Sequence, residues 1–240
     1  MNDSSNQQKG SRPARESLPP TLLKILDKSG LISKTERKNL NVFVRRHANE
    51  GKTLDIGSNR SPYAQYFPNR VGLDVRMMPG VDIVGDAHDL HMIRDEEFDC
   101  ILCTEVLEHL HTPERAISEM RRILKKGGTL ILTTRFVYPI HSVKDYYRYT
   151  KCGLMHLLRD FEILEFRNET DTIGTLAVLF QRIGLQCETL YFKPFRLFWL
   201  LLAKVTPLFS FIITKEHSEV ANKNVIDNFM TTGYYVACRK

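Results

Sequence analysis

Short apolar runs alternate with amphipathic stretches between residues 50 and 135. The runs predict five β-strands, at 53–56, 70–74, 81–84, 98–103 and 128–134. Stretches at 60–67 and 113–125 predict helices, with Gly127-Gly128 ending the second one. Because strands that alternate with helices favour parallel pairing, the pattern predicts an α/β fold with a doubly wound, mostly parallel sheet. Ligands of such sheets bind at the carboxyl ends of the strands.

Both flanks of this region carry a different pattern. Residues 1–19 are rich in Ser, Asn, Gln, Arg and Pro, which predicts a disordered tail without a signal peptide. Two N-terminal helices follow, one from Leu22 to near Gly30 and one over 35–48, in which we expect the inward-facing residues to be Leu40, Val42, Phe43 and Val44. Beyond residue 150 we predict helices at 151–159 and 172–184 and strands at 161–166 and 233–238. The main domain is then 20–184 with 232–240, and a helical insertion or lid fills 185–231.

A strongly apolar segment at 195–213 lies inside the predicted insertion. Its roughly 19 residues approach the length of a membrane span. Lys204 and Pro207 interrupt the segment, however, and a charge at mid-span is costly. A packed or partner-facing helical hairpin is therefore the favoured interpretation. An in-plane contact with a membrane surface stays open, because Trp199 and several Phe residues are flanked by basic side chains.

Charge and cysteine content limit the classes of partner. The 240-residue chain has a net charge of +6 and a pI near 9.0, without a block of six like charges. Its basic residues do not interleave with aromatic ones, so we expect no nucleic-acid partner. Cys100 and Cys103 form a C-x-x-C pattern, which is found in redox pairs and zinc sites. Alternation along the predicted strand puts the two thiols on opposite faces, so we predict buried core thiols, no metal site and a cytoplasmic protein.

Two acidic strand ends indicate a nucleoside-binding site. The first predicted strand contains Asp55 and turns through Gly57, and the second strand ends at Asp74. A glycine turn lets backbone amides approach a ligand closely, because glycine has no Cβ. A carboxylate at the tip of the next strand accepts the hydroxyl groups of a ribose. We therefore expect a nucleoside-containing cofactor near residues 55–90.

Six segments occur in an ordered set: L-D-I-G-S-N-R at 54–60, G-L-D at 72–74, G-D-A-H-D-L at 85–90, F-D-C-I at 98–101, T-E-V-L-E-H-L at 104–110 and G-G-T-L at 127–130. Together they resemble class I S-adenosylmethionine-dependent methyltransferases of the methyltransferase type 11 kind, over roughly residues 50–160. The resemblance implies a Rossmann-like sheet with an antiparallel last strand. It also implies S-adenosyl-L-methionine as the cofactor and S-adenosyl-L-homocysteine as the product.

The resemblance assigns cofactor contacts residue by residue. It places the methionine moiety beside Asp55, Gly57, Ser58 and Asn59, the ribose at Asp74 and Val75, the adenine ring at Asp86 and Ala87, and the sulfonium region at Thr104 and Glu105. Asn59 and Ser61 stand where the family usually has glycine. The turn can still form, because Asn tolerates the left-handed backbone region.

We expect the methyl acceptor at the segment that follows the fifth strand, residues 138–150. Its pattern H-x-x-x-D-Y-Y-R-Y-T, which starts at His141, resembles a subgroup associated with glycan or cell-envelope biosynthesis. We predict His141 as a general base, because its ordinary pKa lies near neutrality. Asp145 would orient a hydroxyl group and Arg148 would hold a carboxylate or phosphate. A structural lid, in which Asp145 and Arg148 bind each other, is an equally weighted alternative.

A second candidate base, His109, follows the fourth strand. Helix capping or cofactor contact is the favoured interpretation of His109, and an exposed helix surface is the alternative for Glu108, His109 and His111.

The sequence as a whole predicts methyl transfer by in-line displacement to a small-molecule, glycan or lipid-linked acceptor, with oxygen or nitrogen as the attacking atom. Two alternatives stay open: an NAD-dependent dehydrogenase, and a non-catalytic scaffold of the same fold. We expect a cytoplasmic location, with a peripheral contact at the inner face of the membrane through 195–213.

Overall fold

The computed structural model describes residues 35–58, 61–187, 193–219, 224–225 and 229–240. Two compact units divide the described chain: 35–175 with 210–240, and 176–209. The first unit contains the main sheet and the second contains most of two helices. The predicted tail at 1–19 and the predicted helix at 22–30 lie outside the described residues.

The first unit is built around a sheet of seven strands. Its strands are β1 (Thr53–Ile56), β2 (Arg70–Asp74), β3 (Ile83–Val84), β4 (Phe98–Thr104), β5 (Leu124–Arg135), β6 (Glu162–Asn168) and β9 (Gly233–Arg239); a separate small pair consists of β7 (His217–Glu219) and β8 (Asn224–Val225). The order across the main sheet is β3-β2-β1-β4-β5-β9-β6. Only β9 runs antiparallel to its neighbours, β5 and β6. The predicted Rossmann-like, mostly parallel sheet with an antiparallel last strand is confirmed.

Five α-helices are described: α1 (Thr35–His47), α2 (Pro113–Ile123), α3 (Lys151–Leu157), α4 (Thr172–Gln186) and α5 (Lys193–Val205). Short 3₁₀ segments occur at Ala64–Tyr66, Leu107–His109 and Thr206–Ile212. The predicted helix at 60–67 is wrong, since residues 61–67 contain only a single 3₁₀ turn. Pro62 has no N–H to donate, and Pro68 restricts Phe67 to a non-helical conformation with φ −128° and ψ 87°.

Two further local predictions are wrong for identifiable reasons. Helix α2 ends at Ile123 and β5 begins at the next residue, so Gly127-Gly128 does not end the helix. Instead, Phe98 pairs with Leu124 and Cys100 pairs with Thr129, so the glycines lie in a bulge of β5. On α1, Leu40, Phe43 and Val44 are buried as predicted, but Val42 is 58% exposed.

Apolar clusters cover both faces of the sheet. One cluster contains Cys103 and the other contains Cys100, so the two thiols lie on opposite faces as predicted. Both are free cysteines, and burial raises the pKa of Cys100 to about 12. These thiols therefore pack as core residues and do not form a joint redox or metal pair.

The apolar segment is helical but does not fold back on itself over its described residues. Helix α5 continues directly into the 3₁₀ segment Thr206–Ile212. Its packing partner within the same unit is α4, since the rings of Phe180 and Trp199 lie 5.6 Å apart. Residues Phe195–Ile212 are long and apolar enough to cross a membrane, with a mean hydropathy of 1.6 and only 11% of the segment buried.

Two glycines with a left-handed backbone allow a matched stability test. Gly57 has φ 73°, and a Cβ there would lie 2.3 Å from Val106 Cγ2. Gly127 has φ 75°, but a Cβ there would meet no atom within 4 Å. We expect Gly127→Ala to cost about 1–2 kcal/mol through backbone strain alone. Gly57→Ala should cost about 1–3 kcal/mol more, because the added methyl group also overpacks the turn.

Urea unfolding of the two variants measures this difference. Equal losses of unfolding free energy would show that Val106 moves aside without cost.

Candidate active site

A cavity of about 440 Å³ opens at the carboxyl ends of β1, β2 and β4. Its size lies within the range of small-molecule sites. The residues that line it from the predicted cofactor set are Gly57, Asp74, Val75, Asp86, Ala87 and Glu105. His109 lines the same cavity, together with His88, His111, Ser142, Lys144 and Tyr146.

The turn after β1 brings backbone close to this cavity. The N–H groups of Gly57 and Ser58 both donate to Leu73 O of β2, at 2.8 and 3.1 Å. This pairing ties the turn to the strand that ends in Asp74. Because Gly57 has no Cβ, Val106 can pack against the turn, with its Cγ2 2.3 Å from where a Cβ would lie.

Asp86 is held by His88 at the turn after β3. His88 donates to Asp86 Oδ1 from its backbone N at 2.9 Å and contacts the same oxygen with Nδ1 at 2.6 Å. Thr112 N donates to His88 Nε2 at 3.3 Å, so Nδ1 carries the proton and donates it to Asp86. Burial opposes ionisation of Asp86, but the hydrogen bonds from His88 outweigh it, and the pKa of Asp86 is lowered. Asp86 is therefore an ionised acceptor at the cavity wall.

Three of the other predicted cofactor residues do not line the cavity. Asp55 is buried and accepts a hydrogen bond from Arg70 Nε at 2.7 Å, which joins β1 to β2. Burial raises the pKa of Asp55 in spite of Arg70. Ser58 is buried behind the turn, and Thr104 is the last residue of β4. Asn59 lies outside the described residues.

Glu105 is positioned by a buried ionic network. It follows β4 with φ 55°, a left-handed conformation that is costly for a non-glycine residue. The guanidinium of Arg135, 3% exposed at the end of β5, donates to Glu105 and also to Glu169 Oε2 at 2.6 Å. Glu169 further accepts hydrogen bonds from Thr232 Oγ1 at 2.7 Å and from Tyr235 OH at 3.0 Å. Both carboxylates are therefore fixed around one buried cation.

The segment 138–149 contributes Ser142, Lys144 and Tyr146 to the wall of the cavity. Tyr146 N and Tyr147 N donate to Glu108 O at 2.8 and 3.3 Å. His109 Nδ1 lies 2.7 Å from Lys144 O. These contacts fasten the segment to the 3₁₀ turn Leu107–His109.

Asp145 and Arg148 bind each other within this segment. Arg148 donates to both Asp145 oxygens, from Nη2 at 2.6 Å and from Nη1, and also to the carbonyl of Pro139 at 3.1 Å. Arg148 lowers the pKa of Asp145 to about 2. The ion pair that the lid alternative requires is thus present. Neither residue is among the described residues that line the cavity.

His141 lies beside His109, which lines the cavity. Its Nδ1 is 3.1 Å from Asp145 Oδ2, and its ring centroid is 5.0 Å from that of His109. Burial lowers the pKa of His141, outweighing the attraction of Asp145. The imidazole is therefore neutral at pH 7 and has a nitrogen that can take a proton or bind a ligand.

The alternative interpretation of Glu108 as an exposed residue on a helix surface is wrong. It is fully buried in the 3₁₀ turn after β4. Burial raises the pKa of Glu108 to about 7.

The sequence analysis missed His88, Arg135 and Glu169. Arg135 is the last residue of β5 and Glu169 directly follows β6, so a charge at the end of a strand was the available signal. His88 gave no signal beyond its position two residues after Asp86.

Residues 43–132 match the family model described as a methyltransferase domain. An uncharacterized protein of Methanocaldococcus jannaschii is 32% identical over 117 residues, which cover 45% of this chain and 55% of that protein. The chain thus spans about half the length of this curated relative. Residues 43–132 of the chain are thus similar to a methyltransferase domain.

Solved structures share the fold at low identity. The cyclase SpnF superposes with a TM-score of 0.54 at 18% identity, covering 85% of this chain and 81% of its own. The 1,6-didemethyltoxoflavin-N1-methyltransferase of Burkholderia thailandensis, with 1,6-didemethyltoxoflavin and S-adenosylhomocysteine bound, gives a TM-score of 0.53 at 12% identity, covering 97% of this chain and 92% of that one. Since the fold hosts more than one chemistry, activity has to be argued from the site.

S-adenosylmethionine is the cofactor that such a domain implies, and the cavity residues fit it. Asp74 lies at the end of β2, where a carboxylate accepts ribose hydroxyl groups. Gly57 presents a turn without a Cβ on the same wall. The ionised Asp86 and the small side chain of Ala87 complete the β3 side.

The Arg135 network gives a testable prediction for stability. Glu169→Gln removes one of the two charges that compensate a buried guanidinium, so we expect a loss of about 3–5 kcal/mol in unfolding free energy. Glu162→Gln on β6 is the matched control, because its side chain is 65% exposed and lies 3.4 Å from Arg239. That change should cost no more than about 1 kcal/mol.

Chemical denaturation at pH 7 compares the two variants. If Glu169→Gln were as mild as the control, Arg135 would not depend on Glu169.

Proposed function

We propose that this chain transfers a methyl group from S-adenosylmethionine to a small-molecule, glycan or lipid-linked acceptor. One observation carries the proposal: a single cavity joins Asp74 and Asp86 to Glu105 and His109. The first pair suits the adenosine half of a methyl donor. The second pair lies where β4 and the 138–149 segment meet, which suits an acceptor.

When bound, S-adenosylmethionine supplies an electrophilic methyl carbon attached to a sulfonium. An oxygen or nitrogen of the acceptor would form a bond to this carbon while the carbon–sulfur bond breaks with its electron pair on sulfur, and the proton of the acceptor would pass to water. The chain contributes alignment, which is worth several kcal/mol when two reactants are held in attack geometry. Glu105 is held for this purpose by Arg135, and His109 by Lys144 O.

The acceptor end of the cavity has a mixed character. Tyr146 is 52% exposed, and its ring lies 6.2 Å from that of His111, so a flat or sugar ring can stack there. Lys144 lines the same wall and attracts an anionic group. These features favour a polar acceptor that contains a ring.

Loss of the carboxylate at β2 tests the cofactor site. We expect Asp74→Ala to weaken S-adenosylhomocysteine binding by about 1–3 kcal/mol, or roughly 5- to 150-fold, through the lost charged hydrogen bonds to the ribose. Asp160→Ala is the control, because Asp160 is exposed and is not among the residues that line this cavity.

Calorimetry with S-adenosylhomocysteine and with NAD separates the alternatives. Tight NAD binding without a response to S-adenosylhomocysteine would favour a dehydrogenase. Failure to bind either compound would favour a scaffold.

We propose in addition that the apolar segment 195–213 contacts a membrane surface in the plane of the interface. Apolar side chains here are unusually exposed: Phe211 is 75%, Leu208 is 71% and Phe198 is 55% accessible. The exposed charge of Lys204 within the segment disfavours a span and suits an interfacial helix. A peripheral location at the inner face of a membrane follows from this contact.

Flotation of the full chain with phosphatidylglycerol vesicles tests the contact. We expect the wild-type chain to float and the Phe198→Glu/Phe211→Glu variant to stay in the dense fraction, because charges oppose insertion into the interface. Val42→Glu, which alters an exposed apolar residue of α1, should float like the wild type. Equal flotation of both variants, or none for the wild type, would remove the membrane contact.

A further inference from the structure

Three potential metal ligands come together next to the cavity, and one of them, His109, lines it. One carboxylate oxygen of Glu108 and one ring nitrogen each of His109 and His141 lie within 4.8 Å of one another. Glu108 and His109 belong to the 3₁₀ turn after β4, and His141 belongs to the segment after β5. This cluster was not among the sequence-based candidates for a metal site, since His141 follows His109 by 32 residues and the two meet only through the fold.

Both imidazoles are oriented as in metal sites. His109 Nδ1 lies 2.7 Å from Lys144 O, and a carbonyl oxygen can only accept, so Nδ1 carries the proton. His141 Nδ1 lies 3.1 Å from Asp145 Oδ2, an oxygen that also accepts a hydrogen bond from the backbone N of His141. Nε2 of His109 is therefore left without a proton, and the ring of His141 has a carboxylate beside its Nδ1. A partner that fixes one ring nitrogen so that the other binds metal is the usual arrangement around histidine ligands.

The hydrogen bonding of the Glu108 carboxylate supports a bound ion independently. Its Oε2 accepts a hydrogen bond from Thr134 Oγ1 at 3.2 Å. Its Oε1 is buried and has no hydrogen-bond partner within the part of the chain that the structure describes. A buried carboxylate oxygen without a partner is costly and calls for an explanation such as a bound ion.

We infer that Glu108, His109 and His141 bind a divalent transition-metal ion such as Zn²⁺. Two imidazoles and one carboxylate suit zinc, iron, cobalt or manganese better than Mg²⁺ or Ca²⁺, which prefer oxygen ligands. Bonds of about 2.0–2.2 Å place neighbouring ligands roughly 3.3–3.6 Å apart. The ligand atoms lie up to 4.8 Å apart, so metal binding requires the ring of His141, whose side chain is 34% exposed, to move toward the other two ligands.

The use of this ion rests on the proposed function. Three protein ligands leave coordination positions open, and His109, one of the three, lines the cavity. A hydroxyl group of the acceptor occupies one of them, and the ion lowers the pKa of that hydroxyl so that its proton passes to water. The oxygen then forms a bond to the methyl carbon as the carbon–sulfur bond breaks. The inference thus selects oxygen as the attacking atom, and it excludes His141 as a base because a ligand nitrogen cannot take a proton.

Titration of the tag-free full chain with Co²⁺ tests the metal site by visible absorption. We expect one equivalent to bind to the wild type. His141→Ala should weaken binding at least roughly 10-fold, and Asp145→Asn should weaken it about 10- to 100-fold by loosening His141. His91→Ala is the matched control, because this histidine is 77% exposed and its ring contacts Asp89, away from the three ligands. It should bind Co²⁺ like the wild type.

Glu108→Gln is a second variant, with circular dichroism as the check on its fold. If it folds, it should bind Co²⁺ more weakly than the wild type. The inference is wrong if the wild type binds Co²⁺ no more tightly than His141→Ala.

Calorimetry with S-adenosylhomocysteine on the same samples separates the two proposals. Nucleoside binding without Co²⁺ binding would overturn the metal site and leave the proposed function intact. Co²⁺ binding without nucleoside binding would support the metal site and overturn the methyl-transfer proposal.

Discussion

The placement of Arg135 between two carboxylates organises the carboxyl edge of the sheet. A buried guanidinium is stable only when its charge is compensated, and here Glu105 and Glu169 compensate it. Because Glu105 follows β4, Arg135 ends β5 and Glu169 follows β6, one ionic network joins three strands at the edge that holds the cavity. Glu105 keeps a costly left-handed conformation in this network, which indicates that its position is enforced by the surrounding structure.

The two ends of the cavity are built on different principles. The cofactor end consists of strand tips, with Gly57 and Asp74 placed directly by the pairing of β1 with β2. The other end depends on the loop at 138–149, which is held by contacts with the carbonyl of Glu108 and the ring of His109. Strand tips move little between related proteins, whereas loops vary. A conserved donor site can therefore be combined with different acceptors on the same sheet.

Much of the sheet could be predicted from the chain, because β1, β2 and β4 contain short apolar stretches and a charge or a glycine marks where each strand ends. The start of β5 could not be predicted, since its first pair with Phe98 lies across a bulge. Gly57, Asp74 and Glu105 were accessible as candidates because each lies at a strand end. The pairing of Arg135 with Glu169 was not, because these residues are 34 apart in sequence and meet only where β9 separates β5 from β6.

The interior position of β9 has a consequence for biosynthesis. Arg135 pairs with Gly233 and Thr129 pairs with Arg239, so the partners in this ladder are 98 to 110 residues apart. Until the ribosome has released that strand, the backbone of β5 presents an open hydrogen-bonding edge, and β6 has no neighbour to dock against. Closing such long loops is slow, and an open strand edge invites pairing with other chains. The nascent protein would therefore benefit from chaperone protection until its final ladder has closed.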